Sequence, residues 1–368
     1  MKNKKDIKTI PVAVISTFGH CGIDWLHSLI DSHKEILIIP PLSFFRKINI
    51  LKKKGINIDN SLKPRIITNI ITKAILGKNS NESYNILSKN QNTSIFIKYI
   101  NDFLIVEKEF NIEKRLFFAI HYAFAKINKI NLDKIKMIVA HEHAPWNCYQ
   151  YDKYFNSRFI FMVRDPRATI AGSLRGFQRY KDIPTNFPFD INISFAFSAH
   201  KFIQSLPKNK FIILKNEEMH KNLKTQMQRL SKWLNIKFNK SLLHSTFSGK
   251  RWLGESSYIG KGDLKKKVPK NYYNLINIKK RWRNFLDKNT ILIIETVYEK
   301  VMIENKYKFD NKLNIASRFL GYIGILFKFN GFKNFFSFLK LGYIKNVFRR
   351  IFIVFFPNFS RKNFNLYT

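Results

Sequence analysis

Residues 12–26 read VAVISTFGHCGIDWL, and this stretch decides the fold class. Val12 to Ile15 form an apolar run short enough for a strand buried on both faces. A turn holding Gly19 and Gly22 follows, after which Ile23, Leu26, Leu29 and Ile30 recur at helical spacing. Strand, glycine turn and helix in that order make an anion cradle. Backbone N–H groups point inward, and the helix N-terminus adds partial positive charge. Taken alone, the pattern equally describes an ordinary strand–turn–helix unit.

The sequence on either side repeats the alternation. Residues 35–39 form a second short strand, stopped by Pro40 and Pro41. Residues 136–140 (KMIVA), 158–163 (RFIFMV) and 211–214 (FIIL) are three more, and one helix is expected over 217–234. Residues 42 to about 130 read as mostly helical, with amphipathic segments at 66–76 and 114–127. That block is polar and Asn-rich and carries no motif; it reads as a helical insertion that either shapes an acceptor site or simply fills structure. Strands alternating with helices predict an α/β fold, a parallel sheet flanked by helices. Ligands of such sheets sit beyond the carboxyl ends of the strands. His20, His141, Glu142, His143 and Arg164 all follow strands directly, so one crevice is expected to gather them.

A second motif is Arg164-Asp165-Pro166-Arg167. Asp165 suits a helix N-cap and Pro166 the first helical position. The preceding strand then delivers Arg164, a rigid bidentate fork for phosphate, to the crevice, with Ser173 further along the helix. A capped helix with surface arginines is the plainer alternative.

The chain has 368 residues, enough for one large domain with attachments or for two domains. Its 65 Lys and Arg against 25 Asp and Glu give a formal charge of +40, which favours anionic partners. Part of that basicity is a general enrichment in Lys, Asn, Ile and Phe, yet enrichment alone does not explain so few carboxylates. Cys21 and Cys148 are the only cysteines, which excludes a disulfide framework and gives no metal-ligand spacing. The lysine-rich start runs directly into the first strand with no apolar signal region, so a cytoplasmic, unprocessed chain is expected.

Together these pieces resemble a sulfotransferase that uses 3′-phosphoadenosine 5′-phosphosulfate (PAPS). The resemblance runs over residues 11–45 and 136–257. Gly19, His20, Cys21, Gly22, Ile23, Asp24 and Trp25 match the loop that in this family holds the 5′-phosphosulfate, and VRDPRATIAGS is similar to its 3′-phosphate segment, here with Arg164 and Ser173. Residues 211–234 resemble the family's strand, Glu turn and long helix. Residues 248–256, SGKRWLGES, resemble its late loop near the nucleotide, which places Lys250, Arg251 and Trp252 there. The chain departs from the pattern at the loop cation, which is His20, and at two threonines, which are Ile23 and Asp24. The interval from Arg164 to Ser173 is one residue longer than usual, and Gly172 stands at the usual position.

The resemblance implies a P-loop-like sulfotransferase fold in residues 1–310, carrying the insertion at about 42–130. It implies sulfonate transfer from PAPS, with no metal, to an acceptor hydroxyl; the acceptor expected is a glycan. His143 matches the family's catalytic base, His141 takes the place of a cationic Lys, and Glu142 is a second candidate base. His20 serves as a loop cation when protonated. A degenerate sulfotransferase fold that binds anionic glycan or membrane without turnover is the alternative. A nucleotide-dependent kinase would need a Lys after the loop glycine, and none follows Gly22. No nucleic-acid partner is expected. Residues 311–368 form a basic, Phe-rich helical tail with ten Lys and Arg and no Asp or Glu. Basic residues punctuating apolar ones suit peripheral contact with the cytoplasmic membrane face; packing of the tail on the domain is the alternative.

Overall fold

In the computed structural model, the described residues are 6–56, 58–60, 63–76, 85–88, 90–177, 187–252 and 275–327. Five strands form one parallel sheet: β1 (Val12–Thr17), β2 (Ile36–Ile38), β3 (Met137–His141), β4 (Arg158–Val163) and β5 (Phe211–Lys215). Their order is β2-β3-β1-β4-β5, so the stretch that opens the sequence is the central strand. All six β1 residues are buried: the apolar run 12–15 as a strand covered on both faces requires, and Ser16 and Thr17 with their hydroxyls hydrogen-bonded to the Glu142 and Gly19 carbonyls. Register pairs Ile15 with His141 on one side and with Ile160 on the other, which aligns the carboxyl ends of β1, β3 and β4.

The block between β2 and β3 holds α2 (Phe44–Lys53), α3 (Pro64–Ile75), α4 (Thr93–Val106) and α5 (Ile112–Ile127). Helix α5 follows α1 (Ile23–Ile30) in covering the sheet, and it buries Leu116, Phe117, Phe118 and Ile120. Each such side chain contributes about 1.5–3 kcal/mol of transfer free energy, before conformational entropy is subtracted. Phe45 of α2 packs edge-on against Tyr151, 4.6 Å between ring centres, in α6 (Cys148–Phe155). The block therefore contributes to the main core, besides connecting β2 to β3.

Helices α7 (Pro166–Phe177) and α8 (Phe187–Gln204) separate β4 from β5. The single helix expected after β5 is two, α9 (Asn216–Lys221) and α10 (Leu223–Leu234), because Asn222 leaves the helical region at φ −149°, ψ 68°. A hairpin of β6 (Thr246–Phe247) and β7 (Lys250–Arg251) follows, and then α11 (Leu275–Lys280), α12 (Lys288–Val297), α13 (Glu299–Glu304) and α14 (Ile315–Phe327). Helix α14 opens the basic tail and lies against α12. A Cβ on Gly321 would stand 2.2 Å from Thr296 Oγ1, and one on Gly324 2.7 Å from Ile293, so the glycines permit that approach. No described helix is long and apolar enough to cross a membrane. The phenylalanine-rich segments beyond residue 327 lie outside the described residues.

Candidate active site

The loop between β1 and α1 is held from three sides. Gly19 and Gly22 sit at φ +132° and +91°, in the left-handed region that favours glycine. The Thr17 hydroxyl bonds the Gly19 carbonyl and accepts from Gly19 N at 3.1 Å. His20 N donates to Asn192 Oδ1 at 2.8 Å, and Asn216 Nδ2 donates to the Cys21 carbonyl at 2.9 Å. A Cβ at Gly19 would meet Asn192 Oδ1 at 2.5 Å, and one at Gly22 would meet Asn216 Nδ2 at 2.7 Å. The glycines are thus required by close approach as well as by φ. Asn192 and Asn216, on α8 and α9, carry no motif, and sequence reasoning passes over both.

Cys21 is buried, which pushes its thiol up to about 11, so it is a packing residue with no thiolate character. Ile23 is buried as well. Trp25 stacks on His220 of α9, 4.2 Å between ring centres. His20 keeps an exposed edge, but lost hydration on the rest of the ring, and then the charge of Arg164, push it down to about 4. Asp24 offsets this only in part, so His20 is neutral at neutral pH, and the expected loop cation exists only once a phosphate or sulfonate raises it further.

Asp165 accepts from Arg167 N at 3.0 Å and caps α7 as its sequence predicts. Arg167 is no surface arginine. It is buried in ion pairs with Asp165 (2.7 Å), Glu295 (2.6 Å) and Asp310 (3.2 Å), with its guanidinium over Trp282. Glu217 braces the same turn by accepting from Asp165 N at 2.9 Å and from the Tyr307 hydroxyl at 3.0 Å. This scaffold leaves Arg164 half-buried at the end of β4, its Nε without a hydrogen-bond partner among the described residues. Gly172 lies against it: a Cβ there would be 3.7 Å from the Arg164 guanidinium and 3.5 Å from the His20 ring. Ser173 is buried instead, accepting from Asn192 Nδ2 at 2.7 Å. The extra residue in the Arg164–Ser173 interval has turned the serine from the crevice onto the asparagine that braces the loop.

At the end of β3 the extended chain alternates faces, which decides among the three candidate residues there. His141 and His143 face α1, and their Nε2 atoms each lie 3.6 Å from Asp24 Oδ1. Glu142 turns the other way. It is 0% exposed and its Oε1 accepts from Ala144 N at 3.0 Å, so, against the expectation of a second candidate base, it is shut off from the crevice. Burial pushes Glu142 up to about 7. His141 is not a substitute cation either: burial, and then His143 and His27, hold it well below the ordinary histidine value. Its Nδ1 sits 3.1 Å from His27 Nδ1. Burial opposes charge on Asp24, but the contact with His143 and the fields of His141 and His20 outweigh it and hold Asp24 down to about 2. Asp24 is therefore an ionised carboxylate between two imidazoles.

The hairpin extends the wall of this cluster. Phe247 stacks on His27 at 5.0 Å, and Trp252 packs edge-on against Phe247 at 5.1 Å. Asp31, the residue that ends α1, accepts from Thr246 Oγ1, Ser248 N and Gly249 N and so fixes the hairpin. Lys250 and Arg251 are exposed on β7; residues 253–256 of the expected nucleotide loop lie outside the described residues.

Four strand ends thus deliver the Gly19–Gly22 turn, the two histidines, Arg164 and Asn216 to one crevice. This arrangement defines a P-loop-like α/β protein whose central loop suits an anionic group. A sulfotransferase domain matches residues 11–306, and the chain belongs to that family, the enzymes that transfer a sulfonate group. Among solved structures, the sulfotransferase domain of the curacin biosynthetic pathway is similar at 14% identity and a TM-score of 0.53, over 82% of this chain and 99% of that one. Mouse sulfotransferase SULT7A1 complexed with PAP is 12% identical with a TM-score of 0.38, over 86% and 89% of the two chains. Retinol dehydratase in complex with retinol and PAP is 13% identical with a TM-score of 0.34, over 84% and 86%. No curated protein sequence matches the chain.

Proposed function

We propose that this sulfotransferase draws its sulfonate from PAPS and delivers it to a sugar hydroxyl of a glycan. The 5′-phosphosulfate lies on the backbone of the Gly19–Gly22 turn and the N-terminus of α1, and the 3′-phosphate on Arg164. The acceptor oxygen attacks sulfur, the bond from sulfur to the phosphate oxygen breaks, and the acceptor proton passes to His143 Nε2. Products are the sulfate ester and adenosine 3′,5′-bisphosphate. The observation that carries this reading is His143: it is half-exposed at the mouth of the crevice, with ionised Asp24 3.6 Å from the nitrogen that takes the proton. A carboxylate there stabilises the imidazolium formed during transfer. The charge of +40 favours an acidic polysaccharide as acceptor.

Mass spectrometry of candidate glycans after incubation with isotope-labelled PAPS tests the acceptor class, and sulfation of small phenols without any glycan product refutes it. His143→Gln is expected to lower turnover by roughly 10²–10⁴ while leaving bisphosphate affinity unchanged, because a base acts on the acceptor. Equal turnover in variant and parent removes His143 from the mechanism.

A further inference from the structure

We propose that Asp24, His141 and His143 also form a binding site for one divalent transition-metal ion. Asp24 Oδ1, His141 Nε2 and His143 Nε2 all lie within 4.8 Å of one another, and the carboxylate oxygen is 3.6 Å from each nitrogen. An ion with tetrahedral bonds of roughly 2.0–2.1 Å holds its ligand atoms about 3.3 Å apart, so small side-chain movements close the site.

A second observation points the same way. Asp24 Oδ1 and His141 Nε2 are both shut off from water with no hydrogen-bond partner among the described residues, and His141 is only 2% exposed. Two such atoms aimed at one point are costly unless something positive lies between them. The tautomer in which His141 Nδ1 donates to His27 Nδ1, 3.1 Å away, leaves the Nε2 lone pair directed into the cluster. His27 then fixes the ring from behind, as outer partners of metal-bound histidines do.

Two imidazoles and one carboxylate suit zinc, cobalt or ferrous iron better than magnesium or calcium. The side chains of Asp24 and His143 are 33% and 37% exposed, so an ion enters from the crevice and keeps open positions toward it. One consequence rests on the function proposed above. His143 Nε2 has a single lone pair, so while it holds an ion it takes no proton, and the loaded protein does not transfer sulfonate.

Titration of the full chain with Co²⁺, after dialysis against a chelator, tests the site. One equivalent is expected to saturate a visible d–d absorption band, and Zn²⁺ to abolish it by displacement. Asp24→Asn and His143→Gln are expected to weaken binding roughly tenfold or more, with folding checked by circular dichroism. His244→Gln, at an exposed histidine outside the cluster, leaves the titration unchanged. Absence of the band, or a band indifferent to both cluster variants, overturns the proposal. Turnover in the same samples falls as the ion binds and returns on chelation. A saturated band with undiminished turnover leaves the ion site standing and overturns His143 as the base.

Discussion

Glu142→Gln removes a titration from the interior and asks whether this carboxyl is a buried structural group. Glu142 is 0% exposed, one of its oxygens has no hydrogen-bond partner among the described residues, and burial raises it from the usual 4.5 to about 7. Between those two values the folded protein holds a proton that the unfolded chain has released. The folded state then binds more protons, so stability is complete below about pH 4.5 and falls as pH rises toward 7. The difference of about 2.5 pH units, at 1.36 kcal/mol each, makes the loss on the order of 3 kcal/mol above pH 7. Glutamine has no such slope, and whatever its amide costs in packing is the same at every pH. Urea unfolding of parent and variant at pH 5 and pH 8 gives two differences, and the parent is expected to lose about 2.5 kcal/mol more than the variant between them, the first part of the loss having fallen below pH 5. Sulfonate transfer is expected to persist in the variant, since the side chain faces away from the crevice. Equal pH differences in the two chains refute the burial argument. A hundredfold loss of turnover with intact folding makes Glu142 the base after all.

Arg164→Ala is expected to weaken bisphosphate binding about 10- to 100-fold, the equivalent of one charged hydrogen bond of roughly 1.5–3 kcal/mol, with folding preserved. Calorimetry decides it, and unchanged affinity places the phosphate elsewhere. Gly19→Ala forces a Cβ to 2.5 Å from Asn192 Oδ1 at φ +132°, and strain of about 1–3 kcal/mol is expected to show as a lower Tm with loss of nucleotide binding. A normal Tm and normal binding would mean that the loop has another conformation. The basic tail is expected to carry the chain onto anionic liposomes, and equal sedimentation of the full chain and one ending at Phe327 refutes that placement.

The sheet was legible because parallel strands buried on both faces leave continuous apolar runs, and 12–15, 136–140, 158–163 and 211–214 each contain one. The broken helix after β5 was not, since Asn222 interrupts a helical pattern that periodicity alone carries straight through. In the site, the legible part was local: glycines in a turn, an arginine after a strand, a capping Asp165. The Asn192 and Asn216 braces reach the loop from 172 and 195 residues away, and a lone asparagine announces no such partner. Glu142 is different, because period-two alternation through an extended segment already separates it from His141 and His143. Asp24 is the instructive residue. Read along the chain it is an acid in the first turn of a helix, favoured by the dipole and unfavourable to a phosphate. Only the parallel register of β1 against β3, which sets Ile15 beside His141, brings two imidazoles to that carboxylate. Its charge is then shared with histidines across the crevice, and the same contact makes Asp24 either the support of a base or the third ligand of an ion.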